Sequence, residues 1–173
     1  MPDICDEDFL QFFENAVKNA VKEGLETQFK IVVQNSICST VKFDFSNEDG
    51  LHSAYLILSA KNLEVANISL EIFATSKFLK ACLDNAFGTN FDLKDEIVIE
   101  GVGEFINIIS GIVRKNVNDK YNLNFDLTCP VISNYIDTNV LKEKILAMKF
   151  FKFETNLGDF LFGVDLNNMS LKK

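Results

Sequence analysis

The chain has 173 residues, of which 47% are hydrophobic, and it carries a formal net charge of −8. Because a chain of this length can bury about 70% of its unfolded surface, we expect one domain, spanning residues 1–173, with its own core. Arg114 is the only arginine. Nucleic-acid binding depends on clustered arginine and lysine, so we expect neither a nucleic-acid partner nor an anionic membrane surface.

The beginning of the chain shows no charged and then apolar leader, and no apolar run approaches the 18 residues of a membrane span. These features favour a cytoplasmic protein. The cysteines have no metal-like spacing and form no C-x-x-C pair, which favours reduced, buried thiols over a zinc site. They are Cys5, Cys38, Cys82 and Cys129.

The first half of the chain predicts a helix followed by strands. Apolar residues recur at helical spacing from Asp6 to Leu25, and Gly24 is a stop signal near the end. Alternating or β-branched stretches then predict four strands in an antiparallel meander. These strands are Gln28–Val33, Thr40–Phe45, Ala54–Leu58 and a fourth from about Leu63 to Ile72.

The second half predicts two helices and a return to sheet. A helix over Ser76–Phe87 ends at Gly88, and a longer helix covers Asp95–Asn118. Strands follow at Tyr121–Leu127 and, after a polar excursion over Ser133–Glu143, at Ile145–Glu154 and Phe160–Leu166, which a turn at residues 155–158 joins into a hairpin. Together, the predicted helices and strands indicate an α+β fold in which an antiparallel sheet packs against two long α-helices.

The helix over Asp95–Asn118 has a broad apolar stripe and an unusual opposite face. Its outward residues fall at i, i+4, i+7, i+11 and i+14, which is nearly a straight line along a helix of 3.6 residues per turn. They are Glu100, Glu104, Asn107, Gly111 and Arg114. Gly101 and Gly103 lie in the same helix, and each glycine there costs about 0.8 to 1 kcal/mol relative to alanine, so close approach of a backbone or ligand is expected.

Few residues form a pattern with chemical meaning. His52, the only histidine, has no serine or cysteine partner in a nucleophile motif, so we do not expect it to be catalytic. No nucleotide-binding or zinc motif is present, so no cofactor or metal of the chain's own is predicted. Glu100 and Glu104 could divide acid and base roles, and beside them Asn107 could hold a water from two sides without titrating, as phosphoryl hydrolysis requires.

The spacing of these residues resembles a known family. Glu104 and Asn107 form E-x-x-N, and Pro130 follows after twenty-two further residues. This arrangement resembles the signature of the CheC/CheX/FliY chemotaxis phosphatases, as do the glycines at 103 and 111 and the order of the predicted elements. With one intact signature, on the third helix, the chain is more similar to CheX than to CheC, which carries two.

The resemblance implies a hydrolase that removes the phosphoryl group from the aspartate of a CheY-like response regulator. Asn107 would orient the attacking water, and Glu104 would pair with the receiver's active-site lysine. Pro130 would be structural, and the Mg²⁺ would be supplied by the phosphorylated response regulator. Glu100, Gly103, Gly111 and Arg114 would border the partner-binding surface. The resemblance also implies a homodimer, for which an exposed sheet edge is the natural route.

One departure keeps other functions open. The family has Asp or Ser four residues before the glutamate, where this chain has Glu100. The alternative is therefore a non-catalytic module of the same fold that binds a receiver or a flagellar switch component. In a third interpretation the polar line is only a solvated helix face. A second E-x-x-N, at Glu64 to Asn67, has Asn90 where the proline should be and is not counted as a site.

Overall fold

The computed structural model describes residues 7–39, 50–60, 67–137, 139, 141, 143–144 and 148–166. Three α-helices of at least 12 residues lie in this part of the chain: α1 over Glu7–Gly24, α2 over Ser76–Phe87 and α3 over Glu96–Tyr121. Residues 139, 141 and 143–144 are also helical and Leu141 is buried, so the predicted polar excursion over Ser133–Glu143 is wrong for this part of it. A short π-helix, Leu25–Phe29, continues α1. The prediction of three helices is confirmed, and two of them, α1 and α3, are long.

Local signals account for the ends of α2 and α3. The hydroxyl of Thr75 accepts a hydrogen bond from the backbone N–H of Phe78 at 3.2 Å, which caps the start of α2. Gly88 ends that helix in the left-handed conformation, at φ +65°, where a glycine avoids the penalty of a Cβ. Asn122, also left-handed, ends α3.

The described strands form one antiparallel sheet. They are β1 Val33–Ser39, β2 Leu51–Ala60, β3 Asn67–Thr75, β4 Phe125–Leu127, β5 Val131–Ser133, β6 Lys149–Thr155 and β7 Gly158–Asp165. Their order across the sheet is β1-β6-β7-β3-β2-β4, and β5 also pairs with β2. The predicted hairpin is confirmed, since β6 and β7 pair directly and Thr155 lies opposite Gly158.

The sheet has a core on each face, and this explains why several strands are buried almost continuously. All three helices pack on one face, against residues of alternating position such as Leu56, Leu70 and Phe162. The other face carries a smaller cluster of Leu51, Phe73, Leu141, Phe150 and Leu161. The α+β fold with helices on an antiparallel sheet agrees with the sequence-based prediction.

Some predicted strands are wrong in position or partner. Residues 25–29 form the π-helix instead of the start of a strand, and the first strand begins at Val33. The meander is confirmed for β2 and β3, but β1 pairs with β6 at the far edge. Tyr121 belongs to α3, so the strand predicted over Tyr121–Leu127 is limited to β4. The predicted strand over 40–45 lies outside the described residues, as do 63–66 of the fourth strand.

These errors share a physical cause. The alternation of apolar residues reports burial on one side, but it does not say which strand supplies the neighbour. At the π-helix, Leu25 and Phe29 are both buried beside α1 and α3, so packing favours continuation of the helix over an extended conformation. The stretch FDLTCPVIS around Pro130 reads as a single strand in the sequence, whereas the structure divides it into β4 and β5, because Pro130 has no N–H to donate and pairing with β2 is interrupted there.

Two further predictions concern thiols and membrane helices. Cys82 is buried, and burial raises the pKa of its thiol well above the ordinary range. Cys38 and Cys129 are free but exposed, so the prediction of buried thiols is wrong for these two, and Cys5 lies outside the described residues. None of the helices in the described part of the chain is both long and apolar enough to cross a membrane.

Candidate functional site

The outer face of α3 carries the polar residues that the sequence singled out. Glu100, Glu104 and Asn107 are all exposed, and each lies about one helical turn from the next. They face outward because the opposite stripe of the helix, which includes Val102, Phe105 and Ile109, is fully buried in the core. Their common direction therefore follows from the burial of α3.

These three side chains lie in one groove of about 700 Å³. Residues of α3 form its floor, and the end of α2 with the π-helix forms one wall. Pro130 and Ile132, just before and within β5, lie on the same groove. The described residues that line the groove are Gln28, Phe29, Leu83, Ala86, Phe87, Ile97, Glu100, Gly101, Gly103, Glu104, Asn107, Ile108, Pro130 and Ile132. The groove thus joins residues far apart in sequence into a single surface.

The polar groups of the groove do not serve the fold. Among the described residues, neither the two carboxylates nor the Asn107 amide has a hydrogen-bond or ion-pair partner. The part of the lining that the structure describes contains two carboxylates and no lysine or arginine, so its charge is negative and uncompensated. A bound partner with a cationic group would complement it.

Glycines allow two of the close contacts that shape the groove. A Cβ on Gly103 would lie 2.7 Å from Cδ1 of Ile132, and one on Gly101 would lie 3.2 Å from Cδ1 of Leu83. Gly103 is buried against its own chain, and contact with a partner through this residue stays a prediction. Gly111 is different, since a Cβ there would meet no atom within 4 Å.

Pro130 occupies the gap between β4 and β5, both of which pair with β2. The preceding turn is held to β2 by two hydrogen bonds: the Thr128 N–H donates to the Ile57 carbonyl at 3.0 Å, and the Ile57 N–H donates to the Thr128 hydroxyl at 2.9 Å. Pro130 has no N–H to donate, so it fits a position where the ladder is interrupted. The twenty-two-residue interval after Asn107 brings this proline back to the signature helix, beside Gly103.

Arg114 continues the outer line of α3 but lies beyond the groove lining. Its side chain is half-buried, and the described residues supply it with no ion-pair partner. Binding of a partner by Arg114 stays a prediction.

His52 is a buried structural residue. One ring nitrogen, Nε2, is 2.6 Å from the Ser76 hydroxyl, and the other, Nδ1, is 3.3 Å from the side-chain oxygen of Asn134. Burial lowers the pKa of His52, while the hydrogen bond with Asn134 partly offsets this effect. The histidine does not line the groove, and it connects the start of α2 to β2 and the loop after β5.

Metal ligands are not grouped in the described part of the chain: no three His, Cys, Asp or Glu side chains come together there in a way that could hold an ion. The described lining of the groove offers two carboxylates, of Glu100 and Glu104, and two carboxamides, of Gln28 and Asn107.

The sequence did not identify the apolar walls of the groove. Phe87, Ile97 and Ile132 are large hydrophobic residues that are 65%, 47% and 37% exposed. Phe87 was predicted only as the last residue of a helix, and Ile132 only as part of the stretch after the proline. Ile97 could have been found, because it lies outside the apolar stripe of α3 while being apolar itself.

Comparison with known proteins identifies the fold. No protein-family model matches the chain, and no curated protein matches it. Among solved structures, the chemotaxis protein CheX of Vibrio vulnificus superposes with a TM-score of 0.63 at 15% identity, over 88% of this chain and 97% of that chain. CheX in the CheX–CheY–BeF3–Mg²⁺ complex of Borrelia burgdorferi gives 0.64 at 13% identity, over 88% and 96%.

FliY of Thermotoga maritima gives a TM-score of 0.57 at 16% identity, over 93% of this chain and 89% of that chain. The fold is therefore that of the CheC, CheX and FliY structures, as the resemblance of the signature implied.

Proposed function

We propose that this protein hydrolyses the aspartyl phosphate of a CheY-like response regulator in chemotaxis signalling. The observation that carries the proposal is the placement of Glu104 and Asn107, exposed and without a partner among the described residues, in a groove that Pro130 also lines. Support comes from the fold, since a CheX structure of the same fold was solved in complex with CheY, BeF3 and Mg²⁺.

In the proposed reaction, Asn107 orients the nucleophile. Its carboxamide oxygen accepts a hydrogen bond from a water, which attacks the phosphorus in line with the bond to the aspartate. A P–O bond to water forms and the P–O bond to the aspartate breaks, so the electron pair returns to the carboxylate and inorganic phosphate leaves. An amide suits this role because it positions the water without changing its own protonation state.

Glu104 supplies the docking contact. Its carboxylate pairs with the active-site lysine of the receiver and thereby fixes the register of the two proteins. The Mg²⁺ belongs to the phosphorylated response regulator, where it offsets phosphoryl charge, and this chain provides no ligand to it. Pro130 keeps a structural role beside the groove.

The proposal includes the surroundings of this pair. Glu100, Gly103, Gly111 and Arg114 border the surface that the receiver covers. We also propose a cytoplasmic homodimer that forms through a sheet edge, for which β1 is available because its other side has no partner strand among the described residues.

The test is a dephosphorylation assay with phosphorylated receiver and Mg²⁺. We expect the wild-type protein to accelerate phosphate loss and Asn107→Ala to reduce the turnover rate by about 100-fold, because the water loses its positioning group. Glu104→Gln should mainly weaken the binding of the receiver, seen as a higher KM.

Two substitutions on the same helix serve as matched controls. Asn116→Ala and Glu96→Gln remove the same chemical groups from α3 outside the groove, and both should retain wild-type turnover. Equal loss of activity in Asn107→Ala and Asn116→Ala would contradict the proposed role of Asn107.

A second function is supported by Glu100. This side chain lies in the groove one turn from Glu104, where a longer carboxylate than aspartate could occupy space that the attacking water needs. In that case the protein binds a receiver or a flagellar switch component without hydrolysis. Tight receiver binding with no acceleration of phosphate loss by the wild-type protein would support this function.

A further inference from the structure

The exposed aromatic residue at the end of α2 is the most exposed large hydrophobic side chain in the described part of the chain. Phe87 is 65% exposed, and it lies on the groove that contains Glu104 and Asn107. Ile97 and Ile132, also exposed, line the same groove. Three of the nine exposed large hydrophobic residues in the described part of the chain therefore lie beside the polar residues of the proposed site, and such a mixture of apolar and polar groups is typical of protein–protein contact surfaces.

Phe87 is held in a defined position. Gly88 ends the helix directly after it, with its N–H donating to the Asp84 carbonyl at 2.8 Å. The side chain of Asp84 accepts a hydrogen bond from the N–H of Phe91 at 2.8 Å, which brings the ring of Phe91 to 6.2 Å from that of Phe87, edge to face. Lys80 donates to Asn90 at 2.7 Å and ties the same loop to α2.

This preorganisation has a consequence for binding. An aromatic side chain has few rotatable bonds, and fixing its backbone in advance lowers the entropy lost when a partner covers it. Aromatic residues of this kind often contribute much of the affinity of an interface. The ring of Phe87 belongs to neither hydrophobic cluster of the described residues, so its exposed surface is not part of the core.

The charge of the groove indicates what the partner presents. Glu100 and Glu104 are the only charged residues among the described residues of its lining, and the chain as a whole carries a net charge of −8. A complementary surface therefore has a cationic side chain facing the carboxylates and apolar side chains facing Phe87, Ile97 and Ile132. The lysine-bearing face of a receiver, which the proposed function requires, has the first of these features.

We propose that Phe87, together with Ile97 and Ile132, is an apolar anchor that determines the affinity for the receiver and selects receivers with an apolar side chain beside the active-site lysine. This inference rests on the proposed function. Phe87 acts on docking and not on the attacking water, since Asn107 and Glu104 occupy the polar floor of the groove.

The test separates affinity from turnover. Phe87→Ala should raise the KM for phosphorylated receiver, and the Kd for receiver carrying BeF3 and Mg²⁺, by about ten- to thirty-fold, while kcat stays within about two-fold of wild type. Phe87→Leu should recover most of the affinity, because leucine restores apolar contact. Val32→Ala, at a side chain that is 56% exposed and outside the groove, is the matched control and should bind as wild type.

The outcomes distinguish the anchor from the reaction. If Asn107→Ala stops turnover but Phe87→Ala leaves KM and Kd unchanged, the proposal of an apolar anchor is wrong and the proposed phosphatase function stands. If the wild-type protein binds the receiver without hydrolysing its aspartyl phosphate and Phe87→Ala weakens binding, the proposed phosphatase reaction is wrong and the proposal of an apolar anchor stands. A fall in kcat with unchanged KM in Phe87→Ala, or the absence of receiver binding by the wild-type protein, would overturn the anchor.

Discussion

Two polar regions of the molecule contrast in how their charges are compensated. On the face of the sheet opposite the helices, Glu71 is 3% exposed and accepts hydrogen bonds from Lys144 at 2.5 Å and from the Ser53 hydroxyl at 3.1 Å. In the groove on α3, Glu104 and Asn107 are exposed and have no partner among the described residues. The first set, Ser53, Glu71 and Lys144, is called the Glu71 cluster below.

The difference follows from the cost of burial. A buried carboxylate must have its partners within the chain, because desolvation is otherwise uncompensated. An exposed carboxylate keeps its water and remains available to another molecule. The Glu71 cluster therefore stabilises the fold, whereas the groove contributes little to stability and can supply contacts to a partner.

Substitution of Lys144 should give the largest change in stability. Lys144→Met removes the ammonium group, whose Nζ lies 5.6 Å from the centre of the Phe73 ring, so among the described residues the buried Glu71 retains only the Ser53 hydroxyl as a partner. Because the Lys144 side chain is 38% exposed and partly screened, we expect a loss of about 2 to 3 kcal/mol in the free energy of unfolding, measured by urea denaturation.

The matched comparison is Lys115→Met, at an exposed lysine of α3, together with Glu104→Gln in the groove. Both should leave the denaturation midpoint close to wild type. A loss in Glu104→Gln as large as that in Lys144→Met would show that the groove also stabilises the fold and would remove the contrast.

Alanine substitutions at two glycines of α3 test separately which part of this helix stabilises the fold and which part is available to a partner. Gly111→Ala adds a methyl group where no atom lies within 4 Å, so we expect the free energy of unfolding to rise by about 0.8 to 1 kcal/mol from helix propensity. Gly103→Ala should lack most of this gain, because its methyl group must displace the Ile132 side chain.

Receiver affinity is the second measurement for these variants. Gly111→Ala should weaken binding if the receiver covers this part of α3, even though the fold becomes more stable. Unchanged affinity would place Gly111 outside the docking surface. An equal rise in stability for both variants would contradict the close contact at Gly103.

The smallest expected effect concerns His52 and pH. Its pKa is lowered in the folded protein by burial, so the unfolded chain binds a proton at a higher pH than the folded one does. The neutral histidine therefore contributes stability that is lost as the pH falls below its ordinary value of 6.5 toward the lowered pKa. His52→Gln should flatten the dependence of Tm on pH between about 6.5 and 5, above the range where most carboxylates titrate. An unchanged slope would show that the histidine does not control stability in this range.

The apolar and polar patterns of the sequence were sufficient to predict the three helices and the polar residues of α3 that line the groove. Period-3.6 burial predicted α1, α2 and α3, and the same period placed Glu100, Glu104 and Asn107 on one outward line. Capping residues gave the end of α2 at Gly88. These features are local, because they depend on residues within one or two turns of each other.

Strand pairing and the shape of the groove were decided only by the tertiary structure, because both depend on contacts between segments that are distant in the sequence. Strand β1 pairs with β6 and not with β2, which alternation along β1 cannot specify. The helices and β5 together create the groove, so the sequence alone does not predict that Phe87 and Ile132 are exposed beside Asn107. The same holds for Gly103: its sequence indicated a close approach, and packing identified Ile132 as the neighbour.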